Sequence, residues 1–374
     1  MKIDLLTKFD ELETIREEWN LLAGSDSRDG FFRTAVWAIP WLKHIANMAE
    51  PFVVTVRDSG NTLIGLAPMC LITFKDLGFR LKTLTFAGRE VVSGDFLDFA
   101  ALPAHRPIVI QAVLDFIWAQ RDSWDMLQLG ELITDDAMHS AAEAWGKKNK
   151  LLIRQQELRI CPYIDLPSTF DDYLNALNKN MRYLIRRRKR DVLEKNNCSI
   201  QPCKSAAELK DGLSTLTKLH VARWRKVNQS GNLTKQGFEE FLNEVCTNLP
   251  TGCKCRLYIL RHHEDTVGAL LAFHFNDSAL YYQAGWDPDS PISRFSPGVV
   301  LMAHAIEDAI SQRLQYFEFL RGDETYKQKW TQKHRKTETL LFGKSILARG
   351  YLNVLRARDL VKLIIKEKGW SKNT

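Results

Sequence analysis

The chain has 374 residues, 45% of them hydrophobic and 10% aromatic, which suits a packed globular protein of two domains. No apolar run approaches the ~18–20 residues of a membrane-spanning helix, and the opening MKIDLLTKFDELET places acids where a signal peptide carries its apolar core. The formal net charge of +7 is unevenly held: residues 1–150 carry 16 Lys/Arg against 21 Asp/Glu, and the remainder 36 against 24. A basic second half points to an anionic ligand there, whether CoA phosphates, tRNA, an acidic glycan or a membrane surface. Seven cysteines, an odd number without framework spacing, fit reduced thiols and a cytoplasmic setting.

Residues 51–72, PFVVTVRDSGNTLIGLAPMCLI, read as a β-hairpin with Gly60 and Asn61 in its turn. Residues 106–120 have helical spacing, a strand follows over 124–129, and Asp135 and Asp136 come next. A connecting segment near 145–170 leads to a basic helix over 168–195, for which Ser168 and Asp171 make a capping-box-like start. Phe170, Tyr173, Leu174, Leu177, Met181, Leu184 and Ile185 form its apolar stripe. Lys179, Arg182 and residues 186–190 supply seven cations, with no acid between Tyr173 and Arg190. That face is either a solvated exterior or an anion-binding surface. Sparse aromatic interleaving and the lack of a groove-reading motif speak against DNA.

Residues 256–275, RLYILRHHEDTVGALLAFHF, read as a second hairpin. Cys253 and Cys255 share one strand face there; a metal would need further ligands such as His262 and His263, and small residues on a strand are the simpler reading. A strand over 279–286 precedes SPG at 296–298. Ser296 suits an N-cap, Pro297 the first helical position, and Gly298 lets a ligand approach the backbone. Val299, Met302, Ala303, Ile306, Ala309 and Ile310 give the helix one apolar face. A strand over 316–320 follows, with Glu318 its exception, and then the polar run RGDETYKQKW. The last helix, 345–368, carries Leu347, Tyr351 and Leu355 among Arg349, Arg356, Arg358, Lys362, Lys366 and Lys368. It packs on its own domain or lies on an anionic membrane face.

The two hairpins align with Ile64-Gly65 opposite Val267-Gly268. The helix and strand of 106–129 then match those of 297–320, and Asp135-Asp136 match Asp323-Glu324. The chain is therefore predicted to repeat one unit.

The SPG helix start, the strand after it and RGDETYKQKW resemble the C-terminal signature of the CelD/BcsL-type acetyltransferases (BioF2-like domains). These are a branch of the GNAT superfamily related to the FemAB peptidyltransferases. Asp323, Tyr326, Lys327 and Trp330 match a D-x-x-Y-K-x-x-W-like ending, and the resemblance covers roughly residues 162–343. The Q/R-x-x-G-x-G/A pyrophosphate loop of ordinary GNAT enzymes is absent, so acyl-CoA binding is implied by the resemblance alone. The implied fold is α/β (α+β): tandem GNAT-like domains at 1–150 and 151–374, each a mixed twisted sheet flanked by helices. The first copy lacks the SPG start and is expected to be structural or to help bind acceptor; the second holds the donor.

Acyl transfer from a thioester requires that the donor phosphates be held, the carbonyl polarised, the nucleophile deprotonated and the thiolate stabilised. The helix start at Ser296, Gly298 and Val299 is the candidate for phosphate or pantetheine, with Arg294 as a phosphate or acceptor contact. The strand edge over 279–286 can offer a backbone N–H to the carbonyl. Asp323, with Glu324, is a candidate base or orienter of an ammonium group. Glu318 is a second candidate base, expected to point inward and to be raised in pKa by desolvation. By resemblance Tyr326 is the acid for the thiolate, and Lys327 an alternative stabiliser of that charge. Asp323, Tyr326 and Lys327 are expected to open together onto a cleft beside the helix start. Against these roles stand plain packing of Tyr326 with Trp330 and an Arg321–Asp323 salt bridge; His304 reads as a core histidine. No covalent nucleophile motif and no metal site is visible, so direct transfer is expected.

The expected activity is transfer of an acyl group, acetyl foremost, from acyl-CoA to an amine or hydroxyl. The resemblance suggests a small-molecule or envelope or exopolysaccharide precursor as acceptor. Two alternatives stay open: a FemAB-like transferase using aminoacyl-tRNA, and a catalytically inert scaffold at the membrane.

Overall fold

The computed structural model describes residues 1–25, 28, 30–46, 48–89, 92, 94–226 and 235–367. Lys368, the expected end of the last helix, lies outside the described residues. One sheet carries thirteen strands. Those from the first part of the chain are β1 (Lys2–Leu6), β2 (Glu50–Arg57), β3 (Leu63–Asp76), β4 (Phe79–Phe86), β5 (Ala100–Ala101) and β6 (Met126–Ile133). The rest are β7 (Leu152–Asp165), β8 (Cys198–Pro202), β9 (Lys254–His262), β10 (Asp265–Phe275), β11 (Ser278–Trp286), β12 (Tyr316–Glu318) and β13 (His334–Gly343). The spatial order is β1-β2-β3-β4-β6-β13-β7-β12-β11-β10-β9-β8, with β5 added beside β3.

That order is a palindrome of two like units. Each runs through an antiparallel meander, β1–β4 or β8–β11, then crosses over by a helix to a strand that pairs parallel with the meander's last member. The crossover helices are α4 (Arg106–Ala119) and α10 (Pro297–Ser311), once the earlier helices α1 (Phe9–Thr14), α2 (Arg16–Gly24) and α3 (Ala35–Pro40) are counted. Between α4 and α10 lie α5 (Ala137–Lys148), α6 (Phe170–Ala176), α7 (Lys179–Lys189), α8 (Ala206–Lys226) and α9 (Phe238–Thr247). The chain closes its described part with α11 (Ile346–Glu367).

The repeat extends to single residues. Val56 pairs with Gly65 and Arg57 with Leu63, so Ile64 is an extra, bulged residue. In the other unit Leu260 pairs with Gly268 and Arg261 with Thr266, which makes Val267 the bulge. Each bulge precedes a glycine on which the crossover helix rests. A Cβ at position 65 would lie 2.3 Å from Val109 Cγ1 of α4, and one at 268 would lie 3.0 Å from Leu301 Cδ1 of α10. The strands β3 and β10 are covered on both faces and read as near-continuous apolar runs for that reason.

The two units exchange their last strands. β7 follows the first unit in sequence but pairs with β12 of the second; β13 follows the second but pairs with β6 of the first. The exchanged strands pair with each other, antiparallel, from Leu152↔Gly343 to Pro162↔His334. The segment near 145–170, expected as a connection, is therefore largely the centre of the sheet.

The basic helix is two helices. Thr169, one residue after the expected cap, accepts the Asp172 N–H through Oγ1 at 3.1 Å and starts α6. The chain turns extended at Leu177, and Asn178 Oδ1 accepts the Met181 N–H at 2.9 Å to start α7. A short polar side chain that caps its own following turn competes with helix continuation, and here it wins. A π-helical turn over Arg190–Lys195 ends the run.

A methyl group at position 65 meets a β-branched side chain that cannot rotate away, whereas at 268 it meets the flexible end of a leucine. Gly65→Ala is expected to cost about 1–3 kcal/mol, and Gly268→Ala less. Urea unfolding of both variants checks this; an equal or larger loss at 268 would contradict the packing described.

Candidate active site

β11 and β12 touch over three residue pairs only, Ser278/Tyr316, Ala279/Phe317 and Leu280/Glu318. Beyond them β12 leaves. Phe319 N–H donates to the Pro162 carbonyl at 2.9 Å and Gly322 N–H to that of Ile160 at 2.9 Å, drawing the chain toward β7. Leu320 takes a left-handed conformation (φ 57°), which stops the expected strand at Glu318. β11 continues to Trp286 after a register shift that leaves Tyr282 bulged. The strands therefore diverge, and the wedge between them is a cleft of about 330 Å³. Tyr281, Ala284 and Trp286 of β11 form one wall, and Met181 and Leu184 of α7 another. Ser296, Gly298, Val299 and Met302 at the start of α10 close one end, with Tyr326, Lys329 and Trp330 opposite.

The α10 start differs from the expected N-cap. Ser296 is left-handed (φ 57°, ψ 61°) and makes no side-chain cap; its carbonyl accepts the Val299 N–H at 2.9 Å. The first turn still directs the positive end of the helix dipole at the cleft. Gly298 is small for a reason internal to the protein: a Cβ there would lie 2.7 Å from Trp286 Cζ3. The Arg223 guanidinium of α8 stacks on that indole at 3.9 Å from its centroid and also lines the cleft.

Tyr326 and Tyr281 both line the cleft, and each hydroxyl acts on the other's ionisation. Burial first, and then the neighbouring Tyr281, push the Tyr326 hydroxyl well above the usual phenol range. Both residues are held as neutral phenols, so Tyr326 is a hydrogen-bond donor and not a phenolate base. Of the polar run, Lys329 and Trp330 also line the cleft, but Asp323 and Lys327 do not. Asp323 is exposed and does not line the cleft. Lys327 is buried, with Nζ donating to the Arg321 carbonyl at 2.7 Å and paired with Glu324 at 3.0 Å. The expectation that Asp323, Tyr326 and Lys327 open onto the cleft together thus holds for Tyr326 alone. Tyr326 and Trp330 flank a single 3-10 turn, and Trp330 packs in the second core, its carbonyl accepting the Tyr173 hydroxyl at 3.0 Å.

Glu318 is fully buried, as expected for an inward residue, but it lies outside the cleft. Arg28 Nε at 2.7 Å and Arg335 Nη2 at 2.9 Å clamp its carboxylate, and Arg28 lies over the rings of both Tyr163 and Tyr316. Arg294 is exposed, stacks on Phe295 and does not line the cleft. His304 packs edge-on against Tyr258. Cys253 and Cys255 are free thiols, and among the described residues no group of three or more His, Cys, Asp or Glu is arranged to hold a metal.

The first unit has the same divergence, between β4 and β6 after Thr85/Gln128, and among the described residues charged side chains gather at it. Arg89 places Nη1 3.4 Å from Thr85 Oγ1, and its Nε would lie 3.3 Å from a Cβ at Gly130. Asp95, fully buried, accepts the Arg321 N–H at 2.7 Å and pairs with its guanidinium at 3.3 Å; Arg321 also pairs with Glu131. The start of α4 is closed by its own charges, with Arg106 held between Asp98 and Asp136. Arg89 and Asp95 of this cluster come from the passage between β4 and α4.

Residues 179–328 match the acetyltransferase (GNAT) domain family. No curated protein matches the sequence. Among solved structures the fold is similar to FemX, at 11% identity and a TM-score of 0.61, covering 92% of this chain and 98% of that one. It is also similar to the C-terminal domain of a protein described as a lysylphosphatidylglycerol synthetase from Agrobacterium fabrum, at 11% identity, TM-score 0.58 and coverages of 93% and 97%. L-PGS from Bacillus licheniformis aligns at 12% identity, TM-score 0.52 and coverages of 92% and 96%. Residues 179–328 thus mark a GNAT acetyltransferase domain in the second unit, the strand order of that unit recurs in the first, and together they support an N-acyltransferase.

Reading the sequence missed Arg223 and Tyr281, and assigned Met181 and Leu184 to a core stripe. Arg223 carries no motif; only the stacking on Trp286 identifies it. Tyr281 was visible as a strand residue, and its partner Tyr326 was the available signal.

Behind the cleft, His220 of α8 is buried, with Nδ1 3.3 Å from the Ala284 carbonyl. Burial lowers it to about 4, and burial likewise lowers His274 of β10 to about 4. Both folded values lie below the unfolded one near 6.5, so the unfolded chain binds protons first. Stability is therefore intact above ~6.5 and lost as pH falls toward 4, by roughly 3 kcal/mol per histidine at most. Urea midpoints at pH 7.5 and 5 should show the drop, and His220→Asn should make it smaller. An unchanged pH response in that variant would contradict the assignment.

Proposed function

We propose that the cleft of the second unit takes an acyl-CoA, acetyl-CoA foremost, and transfers its acyl group directly to an amine or hydroxyl. The acceptor is a small molecule or an envelope or exopolysaccharide precursor, and the enzyme is of the CelD/BcsL type and cytoplasmic. One observation carries this reading: of the two equivalent strand divergences, the second is a cleft faced by a helix start and lined by a neutral tyrosine, whereas among the described residues the first is occupied by Arg89, Asp95 and Arg321. The α10 first turn and Arg223 would receive the phosphate and pantetheine end of the donor. The unpaired edge of β11 beyond Leu280 would present a backbone N–H to the thioester carbonyl. The acceptor's lone pair attacks that carbonyl carbon, the C–S bond breaks, and the leaving thiolate accepts a hydrogen bond from Tyr326. The proton lost by the acceptor ends on the thiolate sulfur, so amine and thioester become amide and thiol. Asp323, exposed near the run's start, remains the candidate to orient a cationic acceptor.

A second reading, an aminoacyl-tRNA donor, is favoured by the basic helix. Met181 and Leu184 line the cleft from α7, whose Arg186 and Arg187 stand exposed next to them in sequence. The fold likeness to FemX is compatible with it.

Acetyl-CoA should raise the melting temperature, because a ligand of the folded state alone stabilises it, while tRNA should not. Tyr326→Phe should lower turnover by ~10²-fold or more and leave the CoA-induced shift nearly intact. A shift with tRNA and none with any acyl-CoA would select the second reading. A CoA shift with unchanged turnover in the variant would remove Tyr326 from the chemistry.

A further inference from the structure

α11 has two apolar faces. One packs: Ala348, Tyr351, Leu352 and Leu355 are buried against Leu81, Met126 and Leu341 of β4, β6 and β13. The other faces water. Ile346, Val354, Ala357 and Val361 recur at helical spacing on the opposite side, with Leu347 and Leu360 widening the stripe. Ile346 is 89% exposed, Leu360 61% and Leu347 58%. Large apolar side chains concentrated in this way on one outward helix face mark a contact surface rather than scattered exposure.

Cations frame the stripe on both sides. By helical spacing Arg349 and Arg356 fall along one flank, and Arg358 and Lys362 along the other. Arg349 donates to the Lys150 carbonyl at 2.8 Å and Arg356 to that of Ile153 at 2.7 Å. Those bonds hold both side chains along the helix, and among the described residues neither is in an ion pair. Asp359 pairs with Arg154 and also lies near Arg358 and Lys362.

We propose that the outer face of α11 docks on an anionic lipid bilayer, with its apolar stripe at the acyl boundary and the four cations among the head groups. Charge selects this occupant. A second copy of the chain on the same face would bring like-charged flanks together, whereas an anionic leaflet satisfies both rows and the stripe at once. The helix lies in the membrane plane: no helix among the described residues is long and apolar enough to cross a membrane. This inference is independent of the donor.

The test is sedimentation of the full chain with vesicles of phosphatidylcholine alone or mixed with phosphatidylglycerol. Binding is expected only with phosphatidylglycerol, and should weaken as salt is raised. Val354→Asp with Val361→Asp, and separately Arg358→Glu with Lys362→Glu, should each lower partitioning by ~10-fold or more. All four side chains are exposed, so the melting temperature should hold. Arg186→Glu with Arg187→Glu, on the other basic helix, should leave binding unchanged. The proposal is overturned if anionic vesicles fail to bind the protein, or if only the α7 variant loses binding. It is equally overturned if sedimentation velocity shows a dimer that the stripe variant dissociates while vesicles have no effect.

Discussion

The antiparallel pairing of β7 with β13 is the constraint on which the rest of the molecule depends. Each strand belongs by sequence to one unit and by hydrogen bonding to both. Without β13, β6 would present an open edge in the middle of the protein; without β7, β12 would be three residues with a partner on one side only. Unpaired backbone in such a place is costly. The exchange fixes the two units in one continuous sheet and sets the two strand divergences on either side of the central pair.

From that near-symmetric frame the two units part by local sequence. In the first, the passage from β4 to α4 brings Arg89 and Asp95 into its own divergence. The buried charges there are matched across the units, since Arg321 of the second meets Asp95 and Glu131 of the first. A buried cation so paired cannot be removed without stranding two carboxylates. The cluster therefore locks the turn after β12, and that turn delivers Tyr326 to the open cleft. Lys327 contributes to the same geometry by tying its ammonium to the Arg321 carbonyl. What looks in the sequence like a catalytic string is a structural brace that carries Tyr326, Lys329 and Trp330 to the cleft.

Much of the architecture was legible. Bulge and glycine in each hairpin, the crossover helices and the parallel strands after them all left periodic signals, because each is a local pattern repeated twice. The strand exchange left none: β7 and β13 have ordinary strand sequences, and their partners are set by topology. The divided basic helix was hidden because the apolar stripe keeps helical phase across Leu177, while Asn178 makes the break with one side-chain bond. Tyr326 was found because phenol chemistry and motif agree. Glu318 pointed inward as its strand position implies, but its environment depends on Arg28, distant in sequence, which no spacing could place beside it. Gly298 illustrates a different limit, since a glycine at a helix start fits a ligand or a neighbouring indole equally well until Trp286 is located.

The central claim is that the donor enters the second unit's divergence and not the first. Photolabelling with an acyl-CoA bearing a diazirine on its acyl chain, followed by peptide mapping, tests it most directly. Label should appear on peptides carrying Met181, Tyr281, Met302 and Trp330, and excess acetyl-CoA should compete it away. Label competed by acetyl-CoA but mapped to the segment between β4 and α4 would contradict the account.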